Sequence, residues 1–204
     1  MASGLSDDPH SESGFACPRN YFSIKVYAEL QPFEALLAAK RGGELEDGDV
    51  TGKFDVQHLR SVHKFLFQDV FPWAGELRVV NLSKGNCSFA PAMHIHGALT
   101  DALGTLKAEG LLVGLTAPEF TERAAFYLGE LNTIHPFREG NGRAQREFIR
   151  QLALQAGHSV TWAGFTQQEM LDASIASHLH GDNAPLAAIL HRALYSTRHH
   201  AEGA

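Results

Sequence analysis

The sequence is poor in cysteine, in long apolar runs and in positive charge, and each shortage excludes a class of protein. Its 204 residues include two cysteines, Cys17 and Cys87, too few for a disulfide framework or a cysteine-rich zinc site. No stretch approaches the roughly 18 consecutive apolar residues of a membrane helix, and residues 1–14 do not resemble a secretory signal. The formal net charge of −6 argues against direct nucleic-acid binding. We therefore expect a cytoplasmic protein that binds neither membranes nor nucleic acid directly.

The length favours a single domain with a hydrophobic core. We predict that this domain covers residues 21–197, with flexible polar tails at residues 1–20 and 198–204. Histidine is abundant, at 12 residues, which raises the question of a metal site. The closely spaced pairs, His94 with His96 and His178 with His180, have no cysteine or acidic partner at ligand spacing. Surface or core positions are therefore favoured for them.

Helical periodicity and capping signals predict an all-α fold of seven helices with one β-hairpin. The first helix is expected at Pro32–Arg41, with Phe33, Leu36 and Leu37 at helical spacing and Gly42-Gly43 ending it. Six further helices are predicted. One begins after the Asp55 cap, one spans residues 91–109, one begins at the Thr116–Glu119 capping box, one spans residues 143–156, and the last two begin after Thr166 and Asn183.

The segment from Leu77 to Leu82 is β-branched and predicts a strand rather than a helix. Ser83–Asn86 can form a turn, and Cys87–Ala90 can return as a second strand. The sequence therefore predicts one hairpin between the second and third helices.

A polar, glycine-rich segment, His135–Gly142, interrupts two long apolar helices. Its glycines allow close backbone approach, and the following helix offers free N–H groups and its positive dipole end. Arg143 and Arg146 are three residues apart on the first turn of that helix, so both can face one anion. These features are typical of a phosphate-binding site.

Two further side chains in this segment carry chemistry. Glu139 is a hard oxygen ligand suited to Mg²⁺ that bridges phosphates, and His135 can exchange a proton near neutral pH. Together they favour phosphoryl or nucleotidyl transfer. The alternative is a plain helix–helix turn whose arginines are solvated.

The string from His135 to Arg146 resembles the signature of Fic-domain enzymes, His-x-Phe-x-Asp/Glu-Gly-Asn-Gly-Arg-x-x-Arg. A second similarity lies upstream, where Trp73-Ala74-Gly75-x-x-Arg78, then Lys84-Gly85-Asn86 and Phe89, resemble the Fic flap hairpin. The similarity spans roughly residues 21–195. It implies a helical bundle around a central helix–loop–helix active site with a small hairpin flap.

The resemblance implies protein adenylylation, in which AMP passes from ATP to a hydroxyl of a target protein. By this analogy His135 accepts the proton of the attacking Ser, Thr or Tyr hydroxyl, and Glu139 holds Mg²⁺. Phe137 is interpreted as an apolar anchor of the loop.

The same resemblance assigns the remaining loop residues to the nucleotide. The backbone N–H groups of Gly140, Asn141 and Gly142 would form an anion hole, with the Asn141 side chain helping to orient the α-phosphate. Arg143 would bind the β-phosphate and Arg146 the γ-phosphate. On the flap, Lys84, Gly85 and Asn86 would dock an extended target segment by strand addition.

Regulation is also implied by the resemblance. Many Fic enzymes carry an inhibitory helix with the pattern Ser/Thr-x-x-x-Glu-Gly/Asn, whose glutamate pairs with the second motif arginine. Thr105–Gly110 matches this pattern but lies between the flap and the loop, so we interpret it as an ordinary helix end. The resemblance then points to a toxin restrained by a small separate antitoxin, with type II topoisomerase ATPase subunits, those of gyrase included, as targets. The alternatives are a Fic-fold regulator or binding module without transfer activity, and a Fic-type kinase.

Overall fold

The computed structural model of the chain describes residues 8–11, 15–46, 50–85 and 87–201. Within these ranges the regular structure consists of seven α-helices, two short 3₁₀ turns and one antiparallel hairpin, which confirms the predicted all-α class. The helices are α1 (Tyr27–Glu46), α2 (Val56–Phe67), α3 (Ile95–Ala108), α4 (Ala117–Ile134), α5 (Asn141–Gln155), α6 (Gln167–His180) and α7 (Ala184–Ala201). The strands are β1 (Ser83–Lys84) and β2 (Cys87–Ser88). No helix of the described ranges is both long and apolar enough to cross a membrane.

Helix α4 is the centre of the fold. It packs against α3, α5, α6 and α7, and its side chains Phe120, Leu128 and Leu131 are buried in the core. A second layer is formed by α2, which contacts both α1 and α5. The connection between α4 and α5 therefore lies at the middle of the bundle, with structure on several sides to hold it.

The predicted helix starts are confirmed where a side chain caps the helix. Asp55 accepts a hydrogen bond from the His58 N–H at 2.9 Å, and α2 begins directly after it. Thr116 and Thr166 form capping boxes with Glu119 and with the glutamate three residues after Thr166. Each box satisfies N–H groups that the first helical turn leaves free.

Helix α1 is longer than predicted, because Gly42-Gly43 lies inside the helix and does not end it. Each glycine costs the helix about 1 kcal/mol relative to alanine. Arg41 offsets this cost with a two-pronged ion pair to Asp69 at 2.7 and 3.0 Å and a bond to Glu44 at 2.7 Å. Burial of Leu45 adds hydrophobic stabilisation beyond the glycines.

The three apolar residues at helical spacing in α1 do not all face the core, although Leu37 is partly buried against it. Phe33 and Leu36 are exposed at 50% and 70%. The buried face instead carries Leu30, Ala38 and, between them, Glu34. Glutamate side chains are normally exposed to solvent. The burial of Glu34 is explained by its ion pair with Arg143 in the folded chain.

The hairpin is shorter than predicted. Only two residue pairs form, Ser83 with Ser88 and Lys84 with Cys87, and Leu77–Leu82 is not a strand. The reason is that the Arg78 N–H bonds to the Pro136 carbonyl at 2.9 Å, so this segment pairs with the α4–α5 loop.

The described residues 8–11 and 15–20, which belong to the predicted N-terminal tail, contact the helical domain. His10 stacks on Trp73 with ring centroids 5.1 Å apart, and the Trp73 indole N–H donates to the Arg19 carbonyl at 2.8 Å. Asp8 pairs with Arg138 at 2.6 Å. At the other end, α7 continues to Ala201, past the predicted domain end at residue 197.

Candidate active site

The α4–α5 loop is shaped by two residues in the left-handed backbone region. His135 ends α4 with φ 48° and ψ 63°, and Gly140 precedes α5 with φ 80°. A β-carbon at Gly140 would lie 2.4 Å from Cε2 of Phe67, so both the backbone angle and the space require glycine. The loop therefore turns sharply at each end and leaves the N-terminus of α5 open.

The loop is anchored to the core through Phe137, as predicted. Its ring is fully buried and stacks on His63 with centroids 3.8 Å apart. The Asn141 side chain accepts from the Phe137 N–H and donates to the Phe137 carbonyl, both at 2.8 Å. The buried amide therefore braces the loop, and the backbone N–H of Asn141 is available to an anion. Orientation of the α-phosphate by this side chain stays a prediction.

His135 lies half-buried beneath the flap, which we define as residues 80–85 and 87–90. The Phe89 ring stacks on its imidazole at a centroid distance of 3.8 Å and an angle of 12°. Burial lowers the pKa of His135 to about 4, against a weaker opposing effect of the Asn132 backbone. The imidazole is therefore neutral at pH 7 and can accept a proton.

The N-terminus of α5 has the donors that an anion site needs. The first N–H groups of a helix have no intrahelical acceptor and carry the positive end of the dipole. Those of Asn141 and Gly142 stand in this position, whereas the Gly140 N–H donates to Glu139 Oε1 at 3.1 Å.

The two motif arginines have different surroundings. Arg143 forms an ion pair with Glu34 of α1 and lies over the Phe67 ring, 4.7 Å from its centroid. Arg146 is half-buried and forms no ion pair with any described residue. Burial lowers the pKa of Arg146, and the neighbouring Arg143 charge adds to this effect. A guanidinium without an acidic partner beside a helix N-terminus is suited to a phosphate or a carboxylate from outside the chain.

Glu34 was missed by the sequence analysis. It is 1% exposed, accepts from the Tyr27 hydroxyl at 3.2 Å, and holds Arg143. Burial raises the pKa of Glu34 and the Arg143 charge opposes this shift. The only sequence signal was its place on the stripe that includes Leu30 and Ala38.

Glu139 projects from the loop as its sole carboxylate. Its backbone carbonyl accepts from His63 Nε2 at 2.9 Å, while His63 Nδ1 accepts from the Gly75 N–H at 2.9 Å. His63 is therefore a neutral imidazole with its proton on Nε2, and burial lowers its pKa to about 3. Sequence spacing did not identify this support, because its two partners lie in distant parts of the chain.

No group of three or more His, Cys, Asp or Glu side chains in the described ranges is arranged to hold a metal by itself. Mg²⁺ is commonly held by one or two carboxylates together with substrate phosphates. A single carboxylate beside an anion site fits that pattern.

An open groove of about 540 Å³ lies next to Arg143 and Arg146. One wall is the small-residue face of α1, formed by Ala35, Ala38, Ala39 and Gly42-Gly43. The other wall includes residues 160–163, where the Trp162 indole donates to the Arg146 carbonyl at 3.1 Å.

Glu109 does not enter this groove. It pairs with Arg123 at 2.5 and 3.0 Å, which agrees with its interpretation as part of an ordinary helix end. On the flap, Lys84 and Gly85 are exposed, while Asn86 lies outside the described residues.

Three comparisons agree on the relationships of this chain. The Fic/DOC family profile matches residues 53–153. The chain is 42% identical over 93% of its length to the protein adenylyltransferase VbhT of Bartonella schoenbuchensis, of which it spans 39%. It is 35% identical to a Salmonella typhimurium protein named "Probable protein adenylyltransferase Fic", with 96% of each chain covered. Among solved structures, the BepC protein of Bartonella tribocorum with bound AMPPNP is similar with a TM-score of 0.85 and 27% identity, over 90% of this chain and 95% of that one.

Proposed function

The chain belongs to the Fic/DOC family and is an enzyme of the nucleotidyltransferase class, and we propose that it transfers AMP from ATP to a serine, threonine or tyrosine hydroxyl of a target protein. One observation carries this proposal. A neutral imidazole at His135, the Glu139 carboxylate, free N–H groups of α5 and the Arg146 guanidinium converge on one short loop. A plain helix–helix turn needs none of these groups.

In the proposed reaction the target hydroxyl oxygen attacks the α-phosphorus of ATP. A bond forms between these two atoms while the bond from the α-phosphorus to the bridging oxygen breaks. Pyrophosphate leaves with the bonding electrons, and the hydroxyl proton passes to His135. The low pKa of His135, about 4, keeps the imidazole in its proton-accepting form at neutral pH.

The polyphosphate is proposed to lie along the N-terminus of α5. The N–H groups of Asn141 and Gly142 face the α-phosphate, Arg143 faces the β-phosphate, and Arg146 faces the γ-phosphate. Glu34 supports this arrangement because it holds the Arg143 guanidinium from the side of α1.

Glu139 is the residue we propose to hold Mg²⁺ together with the phosphates of ATP. When bound, the ion neutralises phosphate charge and favours departure of pyrophosphate. The chain's own contribution is to fix the Glu139 backbone through His63.

We propose that the flap docks the target as an added strand. Lys84 and Gly85 lie exposed at the tip of a two-pair ladder, and the edge of a short ladder has free backbone groups for an extended segment. Type II topoisomerase ATPase subunits are the proposed target class, which rests on the family resemblance. ATP and such targets are cytoplasmic, in keeping with the predicted location.

We further propose that the chain is a toxin held inactive by a small antitoxin. The groove beside Arg146 supports this, because its alanines and glycines leave room for a helix. A glutamate on that helix would find the Arg146 guanidinium without an acidic partner of its own chain.

The transfer is tested with α-labelled ATP, Mg²⁺ and either cell lysate or purified gyrase. Wild type is expected to label protein, and His135→Ala is expected to fold but to label nothing. Label that enters protein only from γ-labelled ATP would identify a kinase. No label from either nucleotide would favour a binding module.

The antitoxin is tested by growth and copurification. Cells that make the chain alone should stop growing, and a short partner should copurify from the native host. Ala39→Phe fills the groove and should release the partner, whereas Leu36→Ala, on the exposed side of α1, should keep it. Normal growth of cells with active chain alone would contradict the toxin role.

A further inference from the structure

Arg78 is a buried cation that binds only backbone oxygens. It is 2% exposed, and no acidic side chain in the described ranges forms an ion pair with it. Its Nε donates to the His135 carbonyl at 2.7 Å. Its terminal nitrogens donate to the carbonyls of Val80 at 2.7 Å, Ala90 at 2.6 Å and Ile134 at 3.1 Å.

These four carbonyls belong to two different parts of the site. Ile134 and His135 form the C-terminal end of α4, where carbonyls have no intrahelical donor and the dipole is negative. Val80 and Ala90 are the two ends of the flap. A guanidinium presents five N–H donors in one rigid plane, so one arginine can join both parts.

Additional bonds make the connection tighter. The Arg78 N–H donates to the Pro136 carbonyl at 2.9 Å, and the Ala90 N–H donates to the Thr133 carbonyl at 3.1 Å. His135 itself is in the left-handed region, which a β-carbon disfavours by about 1–2 kcal/mol. Its conformation therefore depends on contacts such as the one from Arg78.

We propose that Arg78 is a positioning residue, which holds the imidazole of His135 and the flap in one fixed relative placement so that a hydroxyl docked on the flap meets the base. This inference rests on the proposed function. It goes beyond it because Arg78 contacts neither the nucleotide site at residues 140–146 nor the exposed tip of the flap.

The charge of Arg78 acts on His135 as well. The titratable groups whose charges act on this imidazole are Arg78, Lys84 of β1 and His178 of α6, and Phe89 covers its face. Each positive charge adds to the effect of burial and lowers the pKa of His135. Geometry and charge can therefore be separated by two substitutions.

The test compares Arg78→Lys, which keeps the charge, with Arg78→Met, which removes it. Lysine has three donors on a single nitrogen and cannot span four carbonyls. Arg60→Met is the matched control, because Arg60 donates in the same way to the Gly75 carbonyl at 2.8 Å but does not contact His135. The assay measures the initial rate of label transfer from α-labelled ATP to lysate protein, at varied ATP and pH.

For Arg78→Lys we expect the saturated rate to fall about 100-fold, the effect of a misplacement of about 1 Å, with the ATP concentration for half-maximal rate unchanged within about twofold. The acid limb of its pH profile should stay in place. Arg78→Met should lose as much rate, and its acid limb should move to higher pH. Arg60→Met should match wild type in all three measurements.

A second measurement does not depend on transfer. Titration of the His135 imidazole by NMR should give a higher pKa in Arg78→Met than in wild type. In wild type, the guanidinium N–H protons of Arg78 should exchange slowly with solvent, which can be measured even when a variant does not fold.

The inference is overturned when folded Arg78→Lys transfers at the wild-type rate, when its loss is confined to ATP affinity, or when the Arg78 protons exchange rapidly. An unchanged His135 pKa in folded Arg78→Met would overturn it too. Absence of transfer by wild type would instead refute the proposed function, and the NMR measurements would still decide the placement of Arg78.

Discussion

Gly140→Ala should destabilise the fold for two separate reasons. The backbone at Gly140 has φ +80°, which costs a residue with a β-carbon about 1–2 kcal/mol. The new atom would also lie 2.4 and 2.5 Å from Cε2 and Cζ of the buried Phe67, and overpacking of this kind costs about 1–3 kcal/mol. The sum is a loss of about 2–5 kcal/mol in the free energy of unfolding.

Two other glycines provide matched comparisons. Gly181 has φ +67° but nothing within 4 Å of an added β-carbon, so Gly181→Ala should cost only the backbone term, about 1–2 kcal/mol. Gly142 lies inside α5, and its β-carbon would meet only the flexible end of Arg146, at 3.3 Å. Gly142→Ala should therefore keep the stability within about 1 kcal/mol of wild type.

The same substitution at Gly142 should nevertheless weaken ATP binding, because a methyl group covers the N–H groups proposed to face phosphate. Loss of one hydrogen bond to a charged group, about 1.5–3 kcal/mol, would raise the Kd for ATP by about 10- to 150-fold. Urea denaturation measures the stabilities and calorimetry measures the affinities. Equal stability losses for Gly140→Ala and Gly181→Ala, or normal ATP affinity of Gly142→Ala, would refute the reasoning.

Four other outcomes are expected. The transfer rate should persist as pH falls below 6.5 and decline only near pH 4, because the pKa of His135 is lowered to about 4; a midpoint near 6.5 would contradict the burial. The melting temperature should fall as the pH is lowered from 6.5 to about 4, because His135 binds a proton in the unfolded chain and not in the folded chain. This fall should be less steep in His135→Ala. Asp8→Asn should lower the free energy of unfolding by about 1.5–3 kcal/mol, because it removes the charged partner of the mostly buried Arg138. Urea denaturation measures this loss, and a change below about 0.5 kcal/mol would show that the contact does not stabilise the fold. In a double-mutant cycle, Glu34→Gln and Arg143→Met should couple by about 0.5–3 kcal/mol, and additive effects would exclude a stabilising pair.

Much of the fold could be predicted because the relevant signals are local. The Asp55 cap and the Thr116 and Thr166 boxes each act over three residues, so the sequence contains both partners side by side. The length of a helix and the face that it buries depend instead on residues that are distant in the sequence. The extension of α1 past Gly42-Gly43 depends on Asp69, a partner from after α2, and no local pattern indicates it.

The candidate site likewise has one part that is local in the sequence and one part that is not. The chemical content of the loop, from His135 to Arg146, is contiguous and was predicted from the string alone. The shape of the loop depends on contacts that the string does not indicate, such as the two hydrogen bonds between the Asn141 side-chain amide and the backbone of Phe137.

The sequence by itself determined which groups are candidates for the chemistry, because an imidazole, a carboxylate and two arginines stand within one short segment and one helix start. The tertiary structure decided how these groups are held. Arg78 lies 57 positions from His135, and Glu34 lies 109 positions from Arg143. Contacts over such separations have no periodicity or spacing that a sequence pattern can express, and they form only when α1, the flap and the central loop are packed against one another.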